Sequence, residues 1–310
     1  MKLMALRRAA QVLLLCYLVL TLTSCLARRR LITRGKSGPT HTLLSADKTS
    51  LLNRIAVEYQ AIGSLNATVD MAPAVGSVNK GKITEYKDVR AYILFRKPAE
   101  IRIIGLYPVV RNKAFDMVSN GIEFRLYLPS KNRFVEGGNE VTAPSPNKLE
   151  NLRPNVFLDA LLIPPPKPKD ITVLEDLTDE DNADYIIHVL NRTPSGDLIL
   201  ARTVWFDRLT LQIARQISFD PTGEIVSDTR YSEWQNHDGV PFPKVIDMNR
   251  PKDAYGVIIT VVKIDINKPI SDDKFVLEQP EGTTLQVLGA KPETGAARAQ
   301  DPAGAPAPRL

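Results

Sequence analysis

Few residues in this chain have the type and spacing that chemistry needs. There are three histidines, His41, His188 and His237, far apart in sequence, and no pair of them has metal-ligand spacing. His188, in Ile187-His188-Val189, reads as a satisfied strand residue, and His237-Asp238-Gly239 as a hairpin turn. No G-x-S-x-G elbow occurs. Gly76-Ser77-Val78-Asn79-Lys80-Gly81-Lys82 has the glycine and lysine spacing of a phosphate-binding loop. Ile83, however, stands where a Ser or Thr would hold Mg²⁺, and the surrounding pattern is strand rather than a strand-to-helix turn. The acids Glu175, Asp176, Asp179, Glu180, Asp181 and Asp184 could meet Ca²⁺, but they lack the loop spacing and the glycine that chelation requires. A solvated acidic loop over 170–184 is the simpler reading. The expectation is a protein with no catalytic residues, no metal site and no cofactor.

The cysteines tell more. Cys16 lies in an apolar run from Ala9 to Leu22 that follows Lys2, Arg7 and Arg8. A basic start, an apolar run and small residues have the layout of a secretory leader. The run of about 14 residues is short of the ~20 that span a bilayer as a helix. Leu22-Thr23-Ser24-Cys25 ends it and resembles the bacterial lipobox, in which the cysteine thiol is acylated and becomes the new N-terminus. Cys25 would then be the sole cysteine of the mature chain, without a disulfide partner. Two or more acyl chains, at about 0.8 kcal/mol per buried CH₂, give stable anchoring. An uncleaved signal anchor is the alternative, and Arg28–Arg30 just after the cysteine favours it slightly. Leu26 after the cysteine, in the sorting rule of enteric bacteria, points to the outer membrane and its periplasmic face.

The formal charge of +5 overstates the basicity of the folded part. Without Lys2, Arg7 and Arg8 it falls to +2, and Arg28, Arg29, Arg30, Arg34 and Lys36 lie together beside the proposed anchor. That cluster suits anionic lipid head groups. The remaining charges interleave, so a nucleic-acid partner is not expected.

The elements that must position any site are mostly strands. Residues 1–24 read as leader, 25–46 as the lipidated cysteine and a flexible tether, 47–288 as one domain, and 289–310 as a disordered Ala/Pro/Gly-rich tail. Leu51, Leu52, Ile55, Tyr59 and Ile62 recur at helical spacing over 48–62, with Ser45 or Asp47 to cap the start and Gly63 to end it. Strands are expected at 65–71, 81–86, 91–97, 100–106, 113–118 and 122–128, with a weaker one at 133–136. Asn120-Gly121 supplies a hairpin turn. Ile122, Phe124, Leu126 and Leu128 alternate with polar residues and should face the core. A short helix follows over 155–163, stopped by Pro164-Pro165-Pro166. Further strands are expected at 185–191, 198–207, 212–219, 224–235, 245–249 and 255–267. The last is apolar at both parities and so expected to be covered on both faces.

This order, with the segments 65–68 through 89–95, 103–110 and 151–164, resembles the lipoprotein-localisation (LolA/LolB-like) carriers, and most closely their outer-membrane receptor branch. The resemblance implies a mainly β (α+β) fold: an antiparallel incomplete β-barrel with a few short helices plugging the opening. It implies an apolar cavity for acyl chains of client lipoproteins or lipids, which Leu94, Phe95, Ile103, Phe115, Met117, Phe124, Leu126, Phe157, Leu161 and Trp205 are candidates to line. It also implies a membrane- or client-facing loop at Leu106, Tyr107, Val109 and Val110, where Pro108 would break the ladder. The same stretch reads equally as a strand end packed in the core. The carriers often keep an arginine inside near the lid, and Arg90, Arg96 and Arg102 are candidates. Expected partners are membrane lipid through acylated Cys25, client acyl chains and a soluble periplasmic carrier. A non-catalytic envelope scaffold or stress-sensing lipoprotein on the same fold is the alternative.

Overall fold

The computed structural model describes residues 42–77, 81–86, 88–139, 154–179 and 181–288. The leader, Cys25, most of the tether and the tail lie outside them. The first helix, α1 (Lys48–Ala61), is capped by Asp47, whose carboxylate accepts the Ser50 N–H at 2.8 Å. Leu51 and Ile55 are its buried residues. Gly63 does not end α1 in a left-handed cap; the chain passes through Ile62 straight into the first strand.

Among the described residues, fifteen strands then form one antiparallel sheet with a single parallel pair at its edge. They are β1 (Ser64–Ser77), β2 (Lys82–Glu85), β3 (Val89–Arg96), β4 (Glu100–Leu106), β5 (Lys113–Ser119), β6 (Glu123–Leu128), β7 (Arg133–Gly138), β8 (Ile171–Thr178), β9 (Ala183–Arg192), β10 (Leu198–Asp207), β11 (Ile213–Phe219), β12 (Ile225–His237), β13 (Val240–Arg250), β14 (Tyr255–Ile266) and β15 (Thr284–Leu288). Their spatial order is β15-β7-β6-β5-β4-β3-β1-β14-β13-β12-β11-β10-β9-β8, with β2 paired to the far end of β1. Two meanders thus flank the central β1–β14 pair. The edges, β8 and β15, are not paired to each other, so the barrel is incomplete. The second helix, α2 (Pro154–Leu161), contacts β4 and β5 on one side and β13 on the other. Four strand-to-strand steps separate β4 from β13, so the sheet curls around α2.

Period-two alternation decides which side chains enter the concavity. Ala91, Ile93 and Phe95 of β3, Ile101 and Ile103 of β4, Tyr185, Ile187 and Val189 of β9 and Val257, Ile259 and Val261 of β14 share one core with Leu51 and Ile55 of α1 and Phe157 and Ala160 of α2. On the convex face a smaller cluster, Val118, Phe134 and Leu277, forms where the chain after β14 wraps back before adding β15.

Several expectations need correction. Ile122 sits in the turn and is 77% exposed, because its N–H is held by the Asn120 side chain before β6 begins. The acidic run is not a loop: Ile171–Thr178 is the edge strand β8, which keeps its acids on wet positions. The strand β14 is covered on one face only; Ile258 and Val262 are exposed. Within the expected 81–86 the strand is Lys82–Glu85, and Gly76 and Ser77 pair with its Ile83 and Lys82, so the described ends of the phosphate-loop-like segment lie in antiparallel strands. His188 hydrogen-bonds Glu175 at 2.7 Å on the outer face of β9.

Candidate functional site

The apolar interior is the natural candidate, and it is occupied. Phe95, Ile103, Met117, Phe124, Leu126, Phe157 and Leu161 are buried, and Phe115 is half-buried against them. Leu94 and Trp205 are not interior. Leu94 shares the outward parity of Tyr92 and Arg96, and Trp205 lies outside with the Arg215 guanidinium 5.5 Å from its ring centre. The second tryptophan, Trp234, is the inner one. Its indole N–H donates to the Ile213 carbonyl at 3.1 Å and its ring tilts against Tyr231. No sequence signal separated the two indoles; both lie in alternating strands.

A hollow of roughly 30 Å³ remains where α1, α2 and β11–β13 meet. Ile55, Tyr59, Leu161, Leu162, Ile213 and Trp234 line it. That is room for a water or two, not an acyl chain. What fills the concavity is the plug. Phe157, Ala160, Leu161 and Leu162 project from α2 and the residue after it into the core. Two short helices, not a second layer of sheet, close this core.

Asp159 of α2 lies on the solvent-facing side of the plug, yet the protein packed around it pushes its carboxyl above the usual range, with Arg250 and Arg202 only partly countering it. The Gln216 side chain donates to the Asp159 carbonyl at 3.2 Å. Arg202 is the interior arginine, on an inward position of β10 opposite Val189. Burial lowers its affinity for the proton, the nearby carboxyls of Asp170 and Asp159 opposing that.

Arg90, Arg96 and Arg102 are therefore not the inside arginine. All three stand on the convex face. Arg90 pairs with Asp70. Arg96 donates to Glu100, Asp272 and the Ile270 carbonyl and lies over the Phe275 ring. Arg102 forks onto fully buried Asp116 at 2.9 Å and donates to the carbonyls of Lys274 and Val276. Arg96 and Arg102 clamp the returning chain to the outside of the sheet, which the local alternation could not reveal.

The β4–β5 loop is the second feature. Leu106 closes β4, opposite Arg90 and half-buried, so it is not the tip. Tyr107, Pro108, Val109 and Val110 are exposed, Val109 by 96%. The loop is pinned: the Tyr107 N–H donates to the Asn112 carbonyl at 2.8 Å and the Arg111 N–H to the Tyr107 carbonyl at 3.1 Å. Val109 is held at φ 71° and Arg111 at φ 54°. A β-branched residue in that region is rare and costs on the order of 1–3 kcal/mol. The fold thus spends strain to present an apolar side chain to solvent. Gly105 beneath the loop lets the Phe115 ring lie over the backbone; a Cβ there would meet it at 2.2 Å.

Strand directions place this loop at the same end of the sheet as the β9–β10 turn, the β13–β14 turn and the chain entering β8. Among the described residues there is no cluster of three metal-ligating side chains, and no helix is long and apolar enough to cross a membrane.

No family model matches the chain, and no curated protein does. Among solved structures it is similar to a LolA superfamily protein from Nitrosomonas europaea, at 13% identity over 75% of this chain and 99% of that one, TM-score 0.48. It is also similar to a domain from Vibrio parahaemolyticus described as an outer membrane lipoprotein-sorting protein, at 10% identity over 73% and 94%, TM-score 0.48. A protein from Desulfovibrio piger belonging to a family of unknown function aligns at 15% identity over 73% and 94%, TM-score 0.46. Likeness at this level carries no function across; the chain's own geometry has to.

Proposed function

We propose that this protein binds the acyl chains of lipids or client lipoproteins in the interior that α2 now fills, as a receptor or carrier in lipoprotein sorting. It would be anchored through acylated Cys25 at the periplasmic face of the outer membrane. One observation carries the reading: among the described residues, a continuous apolar concavity is closed by two helices, one of them only eight residues long. Burying Phe157, Leu161 and Leu162 contributes about 1.5–3 kcal/mol each. Ordering the eight residues of α2 costs about 1–2 kcal/mol apiece. That cost is as large as the gain from these three side chains or larger, so they alone do not hold the plug strongly. An acyl chain of about 16 carbons, at about 0.8 kcal/mol per CH₂, gains more than the plug does. The plug yields to the ligand, and its return expels the ligand at the acceptor. The strained, apolar β4–β5 loop is the part that touches the bilayer, where Tyr107, Val109 and Val110 enter the interface.

The test is mass spectrometry of lipids co-purifying with the full chain carrying Cys25→Ser, together with its flotation on vesicles. Stoichiometric acyl lipid and flotation lost in Val109→Asp support the reading. A lipid-free protein that also takes up no added fatty acid refutes it and leaves the scaffold alternative.

A further inference from the structure

A second hollow lies at the loop end of the sheet and is unlike the first. Its volume is about 550 Å³, and Pro164, Pro165, Lys167, Lys169, Asp170, Val189, Asn191, Arg192, Ala201 and Arg202 line it. Four cationic side chains face one carboxyl. That carboxyl is already engaged: Asp170 accepts the Lys167 N–H at 2.8 Å and closes the turn that presents both lysines. Lys167, Lys169 and Arg192 are exposed at the rim, and Arg192 also donates to the Gly196 carbonyl at 2.7 Å. Arg202 forms the floor. Among the described residues its guanidinium has one hydrogen bond, a long 3.4 Å contact to Gln216. A guanidinium offers five donors in a planar fork suited to bidentate oxyanions. With Asp159 beside Arg202 as a second carboxyl, two positive charges remain unbalanced, which the roughly 1.5–2 negative charges of a phosphate monoester match.

We propose that this cleft binds a phosphate group, with Arg202 as the forked floor ligand and Lys167, Lys169 and Arg192 as rim charges. The site shares its end of the sheet with the Val109 loop. A phosphate on a lipid head group and a free or sugar phosphate share this chemistry. The proposal does not require α2 to move, and so stands apart from the acyl-chain reading.

Calorimetric titration of the full chain carrying Cys25→Ser tests it, using three probes: dihexanoyl phosphatidic acid, dihexanoylglycerol and inorganic phosphate. The expected result is binding of the phosphatidic acid, weakened at least tenfold by Lys167→Gln with Lys169→Gln and by Arg202→Lys. The lysine pair is exposed, so its loss leaves the fold intact even where Arg202→Lys disturbs it. Binding of inorganic phosphate with the same sensitivity identifies the anion itself as sufficient. Binding of the phosphatidic acid alone identifies the lipid head group. Dihexanoylglycerol binding as tightly, affinity unchanged in the lysine variant, or no binding of any phosphate probe overturns the proposal. If phosphate binds while fatty acid is refused, the acyl reading fails and this one stands; the reverse result separates them the other way.

Discussion

Truncating the plug separates a lid from an ordinary piece of core. Phe157 is buried on α2 between β4–β5 and β13. Phe157→Ala should cost about 3–5 kcal/mol, the cavity left behind contributing about 24 cal/mol per Å³. In a domain of this size that lowers Tm by roughly 6–12 °C at the lower figure. If α2 is a lid, the same loss falls on the closed state relative to an open state that keeps the sheet. Each 1.4 kcal/mol is tenfold, so 3 kcal/mol raises the open fraction about 150-fold. Apparent affinity scales with the competent fraction, so the dissociation constant for a fluorescent fatty acid should fall by about two orders of magnitude, until the open state saturates. The assay is a titration of that probe against wild type and variant well below the variant's Tm, with strand content followed by circular dichroism. A variant that loses stability as stated yet binds the probe no better refutes the lid reasoning: Phe157 would then be core and nothing more.

Other outcomes follow from the same structure. Because the protein packed around Asp159 raises its carboxyl, its ionisation opposes folding: stability is intact below the unfolded pKa near 3.9 and is lost as pH rises through the folded value. Asp159→Asn should melt higher than wild type at pH 7, and the gap should shrink toward pH 4; a gap independent of pH contradicts this. Val109→Gly removes a positive-φ penalty of about 1–3 kcal/mol, so Tm should rise while vesicle binding weakens; a fall in Tm argues against strain at the tip. Asp116→Ala leaves Arg102 without its fork inside the clamp, a loss of about 3–5 kcal/mol by the usual cost of breaking a buried pair, read as a fall in urea midpoint; a midpoint within error of wild type removes the clamp from the account. Gly105→Leu forces the Phe115 ring away and should raise proteolysis of the β4–β5 loop first; unchanged cleavage denies that the ring supports it.

The alternation of apolar with polar residues made most strands readable, and the bounds of Glu100–Leu106 coincide with β4. Asn120-Gly121 and Asp238-Gly239 marked hairpins because positive φ is needed there, and Gly121, Asp238 and Gly239 adopt it. What failed was the choice of face where both parities are apolar. Leu94, Ile258 and Trp205 are as oily as their inward neighbours, and only the position of the opposite strand decides between them. The arginines failed for a related reason. Arg96 and Arg102 are held by carbonyls about 170 residues away, a long-range pairing with no local trace. Arg202 was missed because an inward arginine in Leu200-Ala201-Arg202-Thr203 has the look of a wet strand position, and the bulge between Leu200 and Arg202 that turns it inward is invisible in the pattern. The β4–β5 loop was legible as an apolar interruption, but its tip is Val109, not Leu106, because Leu106 is the last residue of β4 and pairs with Arg90.

The two tryptophans offer the most direct measurement. Trp234 lines the residual hollow beside α2, whereas Trp205 is on the outer face. A brominated fatty acid titrated into the full chain carrying Cys25→Ser should quench the emission of a Trp205→Phe variant, in which Trp234 is the sole indole, and leave a Trp234→Phe variant bright. Quenching of Trp205 alone, or of neither at concentrations where the lipid remains monomeric, would contradict an acyl site inside the barrel.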